Sequence, residues 1–308
     1  MSILYLVLID YIILACSLFF KLQTYFITND EQHGFKAGHS TATANFILRE
    51  TILSYNKNNS PVYVAFIDFS KAFDKVNHHK LFNKLYKKGI PTIYIKLIKN
   101  WYRNQYVSVK FNGLNSNEWK IMNGVRQGGI LSPYFFNIYI NSVLNDIAKL
   151  SIGCRLGIKS CNIIAYADDI VLLSPSLIAL QHIIDIFYMH ITELNLKINV
   201  NKSFCIKFFN KGKPFTGNNC IKIGENFLTF YTEAKYLGYS LQNNLCNKND
   251  IIRERNQFYR QFNSILRKFH FASIEVKLKL INTYCFQFYG CCFWTSLDKC
   301  KNILISLL

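Results

Sequence analysis

The chain has 308 residues, of which 50% are hydrophobic and 16% aromatic, and this composition excludes a disordered tail. Its 36 Lys and Arg against 18 Asp and Glu give a formal net charge of +18, which favours a polyanionic partner, either nucleic acid or an anionic membrane. The ten cysteines contain no CxxC pair, and this predicts reduced thiols in an intracellular compartment, the nucleus or the cytoplasm.

The N-terminal segment, residues 2–20, is almost entirely apolar. Its length suits a membrane span, but Asp10 lies near its centre, where a charge is costly in lipid. It also lacks the basic region that begins a signal peptide. The segment is therefore predicted to be a buried helix, and a membrane is not an expected partner.

The rest of the chain alternates helical and strand-like patterns. Helices are predicted over 41–53, 78–88, 93–101, from residue 132 onwards, over 177–194 and within 251–289. Strands are predicted over 62–69, 106–111, 163–173 (as strand, turn, strand), 204–209 and 236–241. Asn112-Gly113 predicts a hairpin turn, and Ser132-Pro133 predicts a helix start with Ser as the N-cap. Because the order shows no regular β-α-β alternation, the sequence predicts an α+β fold.

Three carboxylates occur at the ends of these strands. Asp68 ends the strand predicted over 62–69, and Asp168 and Asp169 occupy the turn within 163–173. If the two elements lie side by side, the acids converge into a cluster that becomes favourable when it binds Mg²⁺, which prefers oxygen ligands. Two such ions about 4 Å apart support in-line phosphoryl transfer. The alternative is a solvated hairpin tip with ordinary acids.

The segments around these acids resemble a known family. FIDFSKAFDKV (66–76), NGVRQGGILSP (123–133), AYADDIVLLS (165–174) and LKINVNKS (196–203) resemble motifs A, B, C and D of the reverse transcriptases of LINE-type non-LTR retrotransposons. EQHGFKAGHSTATANFILRE (31–50), KYLGYSL (235–241) and YCFQFYGCCFW (284–294) resemble the segment before motif A, the primer grip and a stretch after the thumb. Several motifs in the expected order are far more specific than any single one.

The resemblance implies a right-hand polymerase with a palm built on an antiparallel sheet. Residues 1–60 would form partial fingers with the apolar helix, 61–225 the palm, and 226–308 the primer grip, helical thumb and C-terminal extension. The implied activity is RNA-directed DNA polymerisation, a two-metal nucleotidyl transfer to a primer 3′-hydroxyl. The implied partners are an RNA template, a DNA primer and dNTPs, together with an endonuclease domain encoded upstream.

The resemblance also implies roles for individual residues. Asp68, Asp168 and Asp169 would be catalytic ligands of two Mg²⁺ ions, for which Mn²⁺ could substitute, and Lys202 would be the general acid for pyrophosphate departure. A surface lysine is the alternative for Lys202. Phe73 corresponds to an aromatic steric gate that favours dNTPs over rNTPs, and plain core packing is the alternative.

Two further groups correspond to binding motifs of the family. Arg126, Gln127 and Gly128 correspond to the nucleotide-binding loop of motif B, and a flexible turn before a helix is compatible with the same residues. The turn Tyr236-Leu237-Gly238 corresponds to the primer grip. His78-His79 has no metal-binding partner at a suitable spacing, so a solvated helix start is predicted there.

One departure from the family leaves a second hypothesis open. The Arg-Pro-Ile-Ser-like fingers segment of complete enzymes has no counterpart before Glu31, where the apolar residues 1–20 stand instead. A catalytically inactive, truncated relic that only binds nucleic acid is therefore the alternative to an active polymerase.

Overall fold

The computed structural model describes residues 3–209, 220–286, 288 and 291–294. The helices are α1 (Ile3–Leu22), α2 (Thr41–Lys57), α3 (His78–Lys87), α4 (Thr92–Arg103), α5 (Ser132–Ala148), α6 (Leu177–Glu193), α7 (Lys248–Lys268) and α8 (Ile274–Tyr284). The strands are β1 (Val62–Ile67), β2 (Tyr106–Val107), β3 (Lys110–Phe111), β4 (Leu114–Asn115), β5 (Trp119–Lys120), β6 (Arg155–Leu156), β7 (Lys159–Ser160), β8 (Ile163–Tyr166), β9 (Asp169–Ser174), β10 (Phe204–Phe208), β11 (Ile221–Ile223), β12 (Asn226–Tyr231), β13 (Glu233–Tyr236) and β14 (Tyr239–Gln242).

The central sheet has six strands in the order β11-β12-β10-β1-β9-β8. Neighbouring strands run antiparallel apart from the parallel pair β10–β12. The most apolar strands, β1 and β9, lie inside the sheet, where both of their faces are covered. Helices and a largely antiparallel sheet together confirm the predicted α+β class.

The two faces of the sheet carry different cores because side chains alternate along each strand. On one face, Ala65 and Ile67 of β1 pack with the buried sides of α3, α4, α5 and α6. On the other face, Val64 and Phe66 pack with α2 and with the β13–β14 hairpin. We call these the helical face and the open face, and the distinction decides where each functional residue points.

The helix α1 has one buried side along its second half. Ala15, Leu18 and Leu22 are buried, and they follow the helical spacing of one face, whereas Ile13 and Phe20 are exposed. The prediction of a buried helix therefore holds for that side. Across the described part of the chain, no helix combines the length and apolarity that crossing a membrane requires.

Several local predictions are confirmed and others are wrong. Asn112 and Gly113 both have positive φ and join β3 to β4, as a hairpin turn requires. The strand predicted over 236–241 is interrupted: Tyr236 ends β13 and residues 239–241 belong to β14, but Leu237 (φ 43°) and Gly238 (φ 84°) form the turn between them. The strand predicted over 106–111 is split into β2 and β3, which pair with different partners.

Two predicted helix starts also differ. Leu131, not Ser132, occupies the N-cap of α5, and the Ser132 hydroxyl donates to the Arg126 carbonyl oxygen instead. His78 is not solvated: its Nε2 lies 2.7 Å from the Gly124 carbonyl oxygen, and its ring packs edge-on against Tyr102.

The segment 284–294, which resembles a stretch after the thumb, is described only in part. Residues 287, 289 and 290 lie outside the described residues, as does everything after residue 294.

Candidate active site

Two of the three predicted carboxylates are brought together by strand register. Ile67 pairs with Ile170, so Asp68 and Asp169 occupy the next opposed positions at the ends of β1 and β9. Alternation places both acids on the open face, in line with Phe66 and Val171. Both line one pocket of about 230 Å³ together with Lys202, which lies outside β10.

The third carboxylate, Asp168, belongs to the turn between β8 and β9. Burial raises its pKa, and the negative charge of Asp68 raises it further. Partial desolvation, followed by the charges of Asp168 and Asp68, raises the pKa of Asp169 to about 6. The three carboxylates therefore repel one another electrostatically, although they come from two separate segments of the chain.

The donor chemistry of this cluster suits a hard divalent cation. Carboxylate oxygens are the ligands that Mg²⁺ prefers, and their mutual repulsion would be relieved by a bound cation. Within the described residues, however, no group of three or more His, Cys, Asp or Glu side chains is arranged to hold a metal ion. Asp68 and Asp169 line the shared pocket, and Asp168 lies outside its lining.

The backbone at Asp68 is held by the segment that carries Lys202. The Asp68 amide donates to the Ser203 hydroxyl oxygen over 3.0 Å, and the Asn199 amide donates to the Asp68 carbonyl oxygen over 2.8 Å. Lys202 lies in the intervening turn and is exposed to solvent. These bonds fix the pocket wall that presents Lys202 to the two acids.

Gln32 holds the turn that carries Asp168, and sequence reasoning did not single it out. The side chain is fully buried, and its Oε1 accepts from the amides of Ala167 and Gly34, each over 2.9 Å. Ala167 has a φ of 55°, in the left-handed region. Gln32 therefore stabilises a strained turn. Its only sequence signal was its place in the segment 31–50, because an isolated Gln has neither charge nor periodicity.

Phe73 packs against the core and also lines a pocket. Its ring stacks on Phe136 with centroids 4.9 Å apart, which is core packing. It also lines an apolar pocket of about 630 Å³ together with Gln127 and Gly128. The structure thus places Phe73 beside the loop predicted to bind a nucleotide, as a steric gate would require.

The loop before α5 is anchored to the segment that follows Asp68. The Val125 amide donates to the Phe73 carbonyl oxygen, and Gly128 adopts a φ of +79°, which favours glycine. Arg126, Gln127 and Gly128 all line a second pocket of about 260 Å³ and are exposed. The three predicted residues therefore share one accessible surface next to Phe73.

The β13–β14 turn approaches the carboxylate pocket from the other side. Tyr236 lines this pocket, and its ring packs edge-on against Phe66 with centroids 5.3 Å apart. Its hydroxyl is buried without a hydrogen-bond partner among the described residues, and burial followed by the charge of Asp169 raises its pKa. Leu237 and Gly238 form the tip of the hairpin.

Comparisons with known proteins agree on one family. Residues 8–241 match the profile of the family described as reverse transcriptase (RNA-dependent DNA polymerase). The retrovirus-related Pol polyprotein from type-2 retrotransposable element R2DM of Drosophila melanogaster is 30% identical over 183 residues, which are 59% of this chain and 17% of that protein. The RNA-directed DNA polymerase from mobile element jockey of Drosophila funebris is 27% identical over 293 residues, 90% of this chain and 31% of that protein.

Solved structures show the same fold at low sequence identity. Telomerase from Candida tropicalis in complex with a TWJ fragment of telomeric RNA has a TM-score of 0.53 at 13% identity, covering 86% of this chain and 43% of that chain. A C-terminally truncated apo form of the same telomerase gives a TM-score of 0.50 at 14% identity, over 70% of this chain and 40% of that one. The chain thus spans less than half the length of each of these relatives and structures.

Proposed function

This chain belongs to the reverse transcriptase (RNA-dependent DNA polymerase) family, and from that premise we propose that it is the polymerase of a non-LTR retrotransposon. It extends a DNA primer with dNTPs on an RNA template. The proposal rests on one observation: Asp68, Asp169 and Lys202 line the same pocket on the open face of the sheet. The matching relatives from retrotransposons support the same class of element.

The three carboxylates would hold the divalent cations on which the family generally depends, Mg²⁺ or Mn²⁺ as a substitute. Two bound ions supply activation of the attacking 3′-hydroxyl and stabilisation of the departing pyrophosphate. Asp68 and Asp169 face the pocket, and the Asp168 turn stands beside it. The uncompensated charge of these acids supports the assignment.

The remaining side chains orient the reactants. Lys202 supplies a proton and a positive charge to the departing pyrophosphate, since it lines the carboxylate pocket. Arg126, Gln127 and Gly128 contact the incoming nucleotide, and the Phe73 ring crowds its 2′-position. The hairpin turn Tyr236-Leu237-Gly238 supports the primer terminus from across the pocket.

The domain boundaries, a further enzymatic partner and the cellular location are proposed on the same basis. Residues 1–60 would be partial fingers, 61–225 the palm and 226–308 the primer grip and thumb. An endonuclease domain encoded upstream would act with the polymerase. Among the described residues the nine cysteines are all free thiols, which supports an intracellular location in the nucleus or cytoplasm.

Primer extension tests the proposal directly. With a DNA primer on an RNA template, dNTPs and Mg²⁺, we expect Asp68→Asn and Asp168→Asn to lower the extension rate by a hundredfold or more, on the order expected for a lost electrostatic group. Asp185→Asn is the matched control, because Asp185 is exposed on α6 and its one hydrogen-bond partner among the described residues is Gln181. Extension at the same rate by all three variants and the wild type would contradict the proposal.

A further inference from the structure

A long stretch of the chain carries positive charge without any acid. Residues 75–117 contain no Asp or Glu and nine basic residues, namely Lys75, Lys80, Lys84, Lys87, Lys88, Lys96, Lys99, Arg103 and Lys110. The stretch includes all of α3 and α4. A helix pair without acids cannot balance its charge internally, so its positive field extends into solvent.

Part of this charge is gathered in a groove between α3 and α5. The cavity has a volume of about 410 Å³. It is lined by three lysines of α3, by the lysine that follows the helix and by polar side chains of α5, namely Lys80, Lys84, Lys87, Lys88, Asn141 and Ser142. No Asp or Glu belongs to the lining. We call this cavity the lysine groove.

The lysines of the groove are held in place without being neutralised. Lys84 Nζ donates to the Ser142 hydroxyl oxygen over 2.6 Å, and Lys80 Nζ donates to Asn195 Oδ1 over 2.7 Å. None of the four lysines forms an ion pair with any of the residues that the structure describes. Burial, followed by the charge of Lys87, lowers the pKa of Lys84, and Asp146 opposes that shift.

The lysine groove lies away from the carboxylate pocket. α3 and α5 pack on the helical face of the sheet through Leu81, Leu85 and Ile140. Asp68 and Asp169 lie on the open face. The two sites share no lining residue and lie on opposite faces of the sheet, so the groove would take a different stretch of ligand from the one at the acids.

We propose that the lysine groove is a second nucleic-acid site, which holds the phosphate backbone of RNA outside the catalytic cleft. Lys80 to Lys88 spans about 12 Å along α3 at 1.5 Å per residue, enough for about three phosphates of one strand at 3.4 Å each. Three of the four lysines, Lys80, Lys84 and Lys88, are half-buried, and Lys87 is exposed. A phosphate strand can enter such a recess, whereas a flat anionic bilayer would reach mainly Lys87.

The site goes beyond the polymerase activity proposed above and does not depend on it. Binding at the lysine groove needs neither metal nor dNTPs, so it is measured in their absence. A failure of extension would leave the binding result intact, and a failure of binding would leave the assignment of Asp68 and Asp169 intact.

The test compares two double variants of the full chain that remove equal charge. Lys84→Gln with Lys87→Gln alters the groove, and Gln retains a donor toward Ser142. Lys57→Gln with Lys222→Gln is the control, at exposed positions on α2 and β11 that line neither the groove nor the carboxylate pocket. Affinity for a long structured RNA is measured by fluorescence anisotropy across a salt series.

We expect the groove variant to reduce the slope of log affinity against log salt by about 1.4, since each lost phosphate contact contributes about 0.7. At 0.1 M salt this corresponds to an affinity for RNA that is roughly 25-fold weaker than that of the wild type. The control variant should keep more than about half of the wild-type affinity. Extension of a hybrid too short to reach the groove stays at the wild-type rate. If the groove variant unfolds, Lys87→Gln alone, at the exposed position of the groove, should still reduce the slope by about 0.7 relative to Lys57→Gln alone.

Two results would overturn the proposal. One is a slope and affinity for RNA equal to those of the control pair. The other is unchanged RNA binding together with loss of binding to vesicles that contain phosphatidylserine, which would assign the groove to a membrane surface.

Discussion

Replacing Gln32 by Met should separate positioning of the catalytic turn from stability of the fold. Met nearly preserves the volume of the side chain but removes the acceptor of the Ala167 and Gly34 amides, which are bonded at 2.9 Å in a fully buried site. Each buried N–H left without a partner costs about 1–3 kcal/mol, so the free energy of unfolding should fall by about 2–6 kcal/mol. The positive φ of Ala167 should then relax.

Relaxation of Ala167 would displace Asp168, the next residue. Because misplacement of a reacting group by 1 Å can cost on the order of a hundredfold in rate, we expect kcat for primer extension to fall about that much. The affinity for the RNA–DNA hybrid and the KM for dNTPs should change little, since Gln32 lines neither pocket near the binding loop.

The matched control is Asn162→Leu. Asn162 is also fully buried, and its amide nitrogen donates to the Ile147 and Ile152 carbonyl oxygens over 2.7 and 3.2 Å, at the end of β8 opposite to the turn. Thermal unfolding should show comparable destabilisation of both variants, whereas extension below both melting temperatures should show the loss of kcat only for Gln32→Met. Equal kcat in the two variants would refute a positioning role for Gln32.

Three other outcomes are expected. Because the pKa of Asp169 is raised from 3.8 to about 6, its ionisation removes stability from the metal-free fold as the pH rises across that window, and the loss is complete above about pH 6. Asp169→Asn should therefore raise the melting temperature above pH 6 but not below the ordinary pKa of an Asp, and should reduce the rise in melting temperature that Mg²⁺ gives the wild type, all measured by thermal unfolding. Phe73→Val should increase rNTP incorporation at least about tenfold (1.4 kcal/mol) in single-nucleotide extension, and an unchanged dNTP preference would leave Phe73 with core packing alone. Lys202→Gln should lower kcat by on the order of a hundredfold, more than Lys235→Gln, which removes a charge from the same pocket; equal losses would reduce Lys202 to a bulk electrostatic role.

The elements that carry the acids could be predicted because their signals are local. An apolar run with β-branched residues marks β1, and a second run interrupted by two Asp marks the β8–β9 hairpin. Whether β1 and the β8–β9 hairpin lie side by side cannot be predicted in the same way, since strand order depends on contacts between residues that are distant in sequence. The register of Ile67 with Ile170 meets that condition for Asp68 and Asp169.

The remaining features depend on contacts that have no sequence pattern. A leucine at positive φ gives no turn signal, so the sequence pattern around Leu237 predicts a strand. The burial of His78 cannot be predicted either, because its partner is a backbone carbonyl of a loop 46 residues away. Gln32 has two amide partners, and one of them lies 135 residues further along the chain. Such long-range polar contacts decide the shape of the site more than any of its helices.

The way the site is held explains why its charge remains available to a cation. Ser203 and Gln32 accept from the backbone amides of Asp68 and Ala167, and Asn137 donates to the Gly34 carbonyl oxygen over 2.8 Å, which links α5 to the segment that carries Gln32. All three side chains are neutral. Within the described residues no side chain donates a hydrogen bond or an ion pair to the carboxylates of Asp68, Asp168 or Asp169. The fold thus fixes the main chain of the acids with neutral groups and leaves their repulsion uncompensated, which is the electrostatic condition that the proposed cation site requires.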